Sequence, residues 1–335
     1  MIATLRLILS LFLLSTLTLA QRPQARPPII DVHMHAHAAD RFGKIGIPNP
    51  VTGTPSAAIT DDALLKAALA AMRRYNIVKA FASSRLDSVE RWRVAAPSLF
   101  VGGAQIDQGI TVPEAGQLQQ DFLSGHLGFM GEIGAQYLGL SPTDSTLEPY
   151  FALAEELDIP VAIHTGISSP NTPYECCPKF RTSLGNPMLL EEVLIRHPKL
   201  RVNLMHAGYP YLQDTIAIMS VYPQVYADLG AIDWIIPRAE FHAYLQALMR
   251  AGFGKRLMFG SDQMIWPEAI GMAIEGINSA RFLTYQQRRD IFYNNAVRFF
   301  RLEDKQLRRT SFRLNAPSNN SFNRSGNSAA FIRET

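Results

Sequence analysis

Eight short apolar runs alternate along this chain with amphipathic stretches of helical spacing. They are Ile29–His35, Ile77–Ser83, Leu99–Gln105, Leu127–Ile133, Pro160–His164, Arg201–His206, Val225–Leu229 and Leu257–Asp262. Near-continuous apolar runs of strand length are what parallel strands buried on both faces look like. The intervening stretches Asp61–Tyr75, Pro113–Leu123, Thr146–Leu157, Pro187–His197, Tyr211–Tyr222 and Pro237–Arg250 read as helices. In the first of them Leu64, Leu65, Ala68 and Met72 share one face. Start signals precede several, including Thr60-Asp61-Asp62, Asp144-Ser145 and prolines at 113, 187 and 237. Strands alternating with helices imply parallel pairing through crossovers. At 335 residues the expected α/β fold is a closed (β/α)8 TIM barrel in a single large domain. An open doubly wound sheet is the competitor. It would carry a Gly-x-Gly-x-x-Gly turn after the first strand, which is absent from this sequence.

Both ends differ from the middle. Arg6 precedes an apolar stretch from Leu7 to Ala20 that stops at Thr18-Leu19-Ala20 before Gln21. That is the pattern of a cleaved secretory signal, and it is shorter than the roughly 20 residues of a membrane span. Residues 1–20 are therefore expected to be a signal peptide, 21–28 an extended lead-in, and 29–302 the catalytic barrel. Residues 303–335 form a C-terminal extension, rich in Asn, Ser, Gly and Arg and expected to be disordered from about 315. The expected location is exported, periplasmic or secreted, with no stable membrane span once the signal is cleaved. Hydrophobic residues make up 47% and charged residues 18%, as in a globular enzyme. The net charge of +3 is not concentrated in any basic run, so nucleic acid is not an expected partner. The expected partner is a small-molecule substrate. Exposed Arg and Met are compatible with a homodimer, which nothing in the sequence requires. The two cysteines, Cys176 and Cys177, are adjacent and cannot staple distant segments. They form either a vicinal disulfide or two loop thiols.

The chemistry sits at the strand ends. Ile29-Ile30-Asp31-Val32-His33-Met34-His35 closes on His-x-His. Side chains repeat every two residues on one strand face, so His33 and His35 point the same way and can grip one cation. Further ligand types end later runs: Glu132 in Gly-Glu-Ile-Gly, His164 in Ile-His-Thr-Gly, His206 in Met-His-Ala-Gly and Asp262 in Phe-Gly-Ser-Asp. Each alone has an ordinary explanation, as a hydrogen-bonded core histidine or a helix cap. Together, in a barrel, they converge on the C-terminal rim where active sites are built. Imidazole and carboxylate suit Zn2+, Mn2+ or Fe2+.

In this order, the motifs Asp-Val-His-Met-His, Gly-Glu-Ile-Gly, Ile-His-Thr-Gly, Met-His-Ala-Gly and Phe-Gly-Ser-Asp resemble the amidohydrolase superfamily of barrel hydrolases. Their details are most similar to the amidohydrolase-related branch that includes aminocarboxymuconate semialdehyde decarboxylase. Asn294-Asn295-Ala296 with Phe299 resembles the family's terminal Asn-Ala helix motif, so the resemblance spans about residues 29–302. It implies that His33, His35 and Asp262 hold a buried metal. It makes His164 a ligand of that metal in a one-metal pattern, or of a second metal in a two-metal pattern. His206 becomes a ligand of the second metal or, with one metal, an acid/base. Many relatives bridge two metals with a carboxylated lysine where this chain has Glu132, which is either the bridge or a residue orienting a ligand. One or two divalent ions are expected, Zn2+ first, with Mn2+ and Fe2+ as alternatives.

The expected activity is hydrolysis of an ester, lactone or amide-like bond, with Asp262 and His206 as the catalytic pair. The rival in the same branch is a one-metal decarboxylase or hydratase acting on a small unsaturated acid. A third reading, a metal-binding barrel without turnover, has little need of six ligand-type residues. Specificity is expected from the loop after His164, where Arg181 could clamp a substrate carboxylate or form a structural ion pair. Tyr137, Trp234 and Trp266 are candidates for lining the mouth.

Overall fold

The computed structural model describes residues 26–303, apart from 108, 111 and 112, together with Leu307. The expected signal peptide, most of the lead-in and nearly all of the C-terminal extension lie outside the described residues.

The eight strands are β1 (Ile29–His35), β2 (Ile77–Ser84), β3 (Phe100–Ile106), β4 (Phe129–Ile133), β5 (Val161–His164), β6 (Val202–Met205), β7 (Val225–Asp228) and β8 (Leu257–Met258). They pair in sequence order, all parallel. Backbone bonds from Val32 N to Phe259 O (3.0 Å) and from Asp262 N to His33 O (2.8 Å) join the last strand to the first. The barrel expected from the alternation is the one observed. Around it run α1 (Asp61–Tyr75), α2 (Leu86–Ala95), α3 (Ala115–Leu123), α4 (Glu148–Glu156), α5 (Thr172–Glu175), α6 (Glu191–Arg196), α7 (Leu212–Val221), α8 (Arg238–Arg250), α9 (Ala269–Asn278), α10 (Tyr285–Arg289) and α11 (Asn295–Phe300).

Helix α1 occupies the expected span because its ends are written in the chain. The Thr60 hydroxyl accepts from Ala63 N, Asp61 and Asp62 lie in the first turn, and Arg73 and Arg74 in the last. That arrangement complements the helix dipole. Helix α2 escaped the periodicity reading because only Val89 and Trp92 of its ten residues are buried. The stretch from Pro187 opens as a tight 3-10 turn, Pro187–Leu190, before α6 begins.

Two hydrophobic layers result. Outward-facing strand residues such as Ala80, Met130 and Ile163 pack against the helices. Inside the barrel, Ile30, Val32, Val78, Phe81, Phe129, Ala162, Met205 and Met258 form an apolar floor with Ala296 and Phe299 of α11. The end of the domain thus plugs the bottom of the barrel. Asn295 completes the seal, its Nδ2 donating to the carbonyls of Gly254 (2.9 Å) and Leu257 (2.6 Å) at the start of β8.

Between floor and rim, two strands each carry one extra residue. In β1 the register with β2 slips between Asp31 and Met34, and in β4 the register with β3 slips between Met130 and Ile133. A bulge of this kind re-aims the side chains beyond it. Val32 belongs to the floor while its neighbour His33 already faces the site. Likewise Phe129 is floor and Glu132, three residues on, is site. The β4 slip needs Gly131, whose φ is +147°, and where a Cβ would lie 2.6 Å from the Ala162 carbonyl oxygen. Gly103 leaves room on β3 for the Phe129 ring, which would otherwise sit 2.3 Å from its Cβ.

Replacing Phe299 with Ala removes one of the three phenylalanines that fill the floor. The expected loss is about 3–5 kcal/mol of unfolding free energy with metal binding retained, because floor and rim are separate layers. Denaturant titration alongside metal analysis measures both.

Candidate metal centre

Buried histidines and carboxylates meet at the C-terminal rim. His33, His206 and Asp262 form one close group, His33, His35 and Glu132 a second, and Glu132, His164 and His206 a third. Within each, the candidate ligand atoms lie within 4.8 Å of one another. His35 Nε2 is 3.1 Å from Asp262 Oδ1 and 3.3 Å from Glu132 Oε2. His33 Nε2 is 3.5 Å from the same Asp262 oxygen. The structure therefore brings together all six residues expected as ligands.

Two positions differ from expectation in detail. β6 ends at Met205 and β8 at Met258, so His206 and Asp262 stand in the loops just beyond their strands. Both adopt left-handed backbone, with φ of 60° for His206 and 43° for Asp262. A non-glycine residue held there costs on the order of 1–2 kcal/mol, which the surroundings must supply. For Asp262 they do so through its N–H on the His33 carbonyl; for His206, through its N–H, 3.3 Å from the Asp228 carboxylate.

Asp228, at the end of β7, was not singled out from the sequence, although the run Val225–Leu229 was recognised as a strand. Its Oδ1 lies 3.1 Å from His33 Nδ1 and accepts from Gly230 N at 2.9 Å, while its Oδ2 accepts from Asn203 Nδ2 at 2.7 Å. Burial opposes its charge, and His33 with these donors holds the carboxyl below its usual range. With Nδ1 committed to Asp228, His33 Nε2 is buried with no hydrogen-bond partner among the described residues. His206 Nδ1 donates to the Gly230 carbonyl at 2.8 Å, which frees its Nε2 in the same way. His37 was also missed, though it extends the motif to His-x-His-x-His. Its ring stacks on His35 at 4.4 Å, and its Nδ1 is 2.9 Å from Ser84 Oγ.

The electrostatics suit a cation. Burial disfavours a charge on His33, yet Asp228 and Asp262 lift its pKa to about 9. For His35 burial is again overcome, by Asp262 and Glu132, and the value rises to about 10. Asp262 and Glu132 are held far below the usual carboxylate range by those histidines, against the effect of burial. Without metal, protons take the place a divalent ion would fill. The orphaned Nε2 of His33, the Asp262 oxygen shared by two imidazoles and the mixed nitrogen–oxygen donor set all fit such an ion.

The expected substrate contacts divide. Tyr137 is at the site, its hydroxyl 3.0 Å from His164 Nε2. Arg181 is not an available clamp as placed. It is exposed, and its Nη1 donates to the carbonyls of Pro178 (3.1 Å) and Phe180 (2.8 Å) in its own loop. The Trp266 indole N–H donates to the Ile47 carbonyl (2.8 Å) and its ring stacks on Phe42. Trp266 therefore fastens the β1–α1 connection to the rim. Trp234 is buried with its N–H on Ser261 O. Cys176 and Cys177 form a vicinal disulfide at the end of α5, one of the two states the sequence allowed.

Fold and site define a barrel enzyme with a histidine–carboxylate centre at its C-terminal rim. The chain belongs to the amidohydrolase family, whose profile it matches over residues 30–302. It is 24% identical over 163 residues to the protein FluG of Emericella nidulans, a match covering 42% of this chain and 18% of that one. The chain thus spans less than a fifth of that curated relative. A TIM-barrel protein from Bordetella bronchiseptica superposes with a TM-score of 0.63 at 18% identity, covering 84% of this chain and 99% of the other. A probable 2-pyrone-4,6-dicarboxylic acid hydrolase from Acinetobacter baumannii gives 0.57 at 14% identity, with coverages of 82% and 99%. The 5-carboxyvanillate decarboxylase of Novosphingobium aromaticivorans gives 0.56 at 15% identity, with coverages of 82% and 96%.

Two outcomes follow from this geometry. Metal uptake must expel the protons held by His33 and His35, so affinity rises with pH until it passes their values of about 9 and about 10. Calorimetry near neutral pH in buffers of different ionisation enthalpy should show proton release on titration with Zn2+. Removing the carboxylate in Asp228→Ala frees the His33 ring and should weaken metal affinity about 10- to 100-fold, read by competition with a chromophoric chelator.

Proposed function

We propose that this protein is an exported, metal-dependent hydrolase that opens an ester, lactone or amide-like bond of a small molecule. The observation that carries the reading is the Asp262 carboxylate, buried and ionised, within 3.5 Å of both His-x-His rings. His33, His35 and Asp262 would hold one divalent ion, with Zn2+ the proposed species. Glu132, His164 and His206 would hold a second or serve the first. When bound there, the ion supplies Lewis acidity and brings water's pKa down to about 7.

The protein's own groups do the rest. Asp262 accepts the proton of the attacking water and returns it to the leaving oxygen or nitrogen. His206, with its proton committed to Gly230 O, presents a bare Nε2 that acts as ligand or proton acceptor. Tyr137 beside His164 is placed to touch substrate. Export rests on the Leu7–Ala20 leader alone. Among the described residues no helix is long and apolar enough to cross a membrane.

A second reading has its own support. One superposed barrel is named as a decarboxylase, in complex with manganese and a nitrobenzoic acid. In a decarboxylase, Asp262 and His206 would shuttle a proton to the carbon that loses carbon dioxide. The two readings separate in one assay on the mature protein. Lactones and aryl esters should yield acid without carbon dioxide, and Asp262→Asn should lower kcat by about 100- to 10,000-fold, as loss of a general base does. Carbon dioxide from unsaturated or aromatic acids, with lactones untouched, would replace hydrolysis by decarboxylation. Near wild-type turnover in Asp262→Asn would remove Asp262 from both.

A further inference from the structure

A chain of hydroxyls runs outward from His164. His164 Nε2 is 3.0 Å from the Tyr137 hydroxyl, which is 2.9 Å from Ser168 Oγ. Ser168 Oγ is 2.9 Å from Thr172 Oγ1, and Thr172 Oγ1 is 2.7 Å from the Ser169 carbonyl oxygen. Each hydroxyl has one proton to give, and a carbonyl can only accept. The direction of every bond follows from that terminus. Thr172 must donate to Ser169 O, so it accepts from Ser168. Ser168 is then spent and accepts from Tyr137. Tyr137 is spent in turn, and its oxygen accepts from His164. The proton of His164 is thereby on Nε2. Its Nδ1 is buried and has no hydrogen-bond partner among the described residues.

We propose that Tyr137, Ser168 and Thr172 form a one-way hydrogen-bond relay that fixes His164 as its Nε2–H tautomer, leaving Nδ1 as the only ring nitrogen free to bind a metal or take a substrate proton. The three are positioning residues that act through His164. The pattern parallels His33 and His206, each fixed by one partner, Asp228 and Gly230 O. Here the anchor is three side chains away, in the loop that follows β5, and is reached through Tyr137 from the loop after β4. It is also held: Thr172 opens α5, and its carbonyl accepts from the backbone N–H groups of both Cys176 (3.3 Å) and Cys177 (3.0 Å). The inference deepens the metal-site reading by naming the atom His164 offers. The tautomer itself does not depend on that reading.

The test is long-range proton–nitrogen NMR on full-length protein with 15N-labelled histidine, after chelation, with His164 assigned by its loss in His164→Gln. The wild type should show a protonated Nε2 and a bare Nδ1. Thr172→Val ends the chain at Ser168 and should convert His164 to a tautomer mixture. Thr172→Ser restores the hydroxyl and should restore the single tautomer, which a merely structural role for Thr172 would not do. Tyr137→Phe provides a second break, should one variant fail to fold. A protonated Nδ1 in the wild type would overturn the proposal. So would an unchanged tautomer in both Thr172→Val and Tyr137→Phe. Zn2+ titration of the same proteins separates the two readings. A relay that is intact by NMR in a protein that takes up no metal leaves the tautomer inference standing and defeats the metal centre.

Discussion

One buried carboxylate ties the site to the barrel. Asp228 stands at the end of β7 and engages His33 from β1, Asn203 from β6, and the backbone N–H groups of His206 and Gly230. Three strands are thus fastened to one another through a single anion at the depth where apolar floor gives way to polar rim. A carboxylate can be kept ionised without water only if its lone pairs are this fully engaged. The same bonds orient the imidazoles. Stability and metal binding therefore draw on one set of contacts, and the left-handed backbone at His206 is sustained by it.

The barrel is graded along its axis. At the bottom, Phe81, Phe129 and Phe299 fill the interior, and α11 seals it. At the top, the interior is imidazole and carboxylate with nitrogens left free for a ligand. Positions that a pure alternation would assign to one side are shared between the two levels by the slips in β1 and β4. The long β1–α1 connection closes over part of the rim, held by the Trp266 indole on Ile47 O and by the Ser56 hydroxyl on Ile265 O. The aromatic residues there hold a wall in place.

The fold was legible because parallel strands buried on both faces leave long apolar runs, and the helices carry caps such as Thr60. The six ligand-type residues were legible because each ends such a run. Asp228 stands near the end of one too, followed by Gly230 at the spacing seen after His164 and His206, but its role appears only when β1 and β6 are placed beside it. Helix α2 buries too few residues to show a period. Arg181 and Trp266 were read from residue type and loop membership, which give no direction. In space, Arg181 turns to its own loop's carbonyls and Trp266 to the β1–α1 connection. The relay from His164 was out of reach for the same reason, since Tyr137 and Ser168 come from separate loops.

The slips in β1 and β4 also bear on how this chain is compared with others. A strand with an extra residue between floor and rim has two reading frames, one for the packing below and one for the ligands above. Two sequences can match residue for residue through Ile30 and Val32 and still point His33 and His35 to opposite sides, if only one of them carries the slip. A gap placed between Val32 and His33, rather than in the loop before β1, is what keeps both frames aligned. Removing one residue at that point would take out the slip and keep the imidazoles facing inward, whereas removing one between His33 and His35 would keep the floor and turn His35 out toward the helices, leaving the mouth one ligand short.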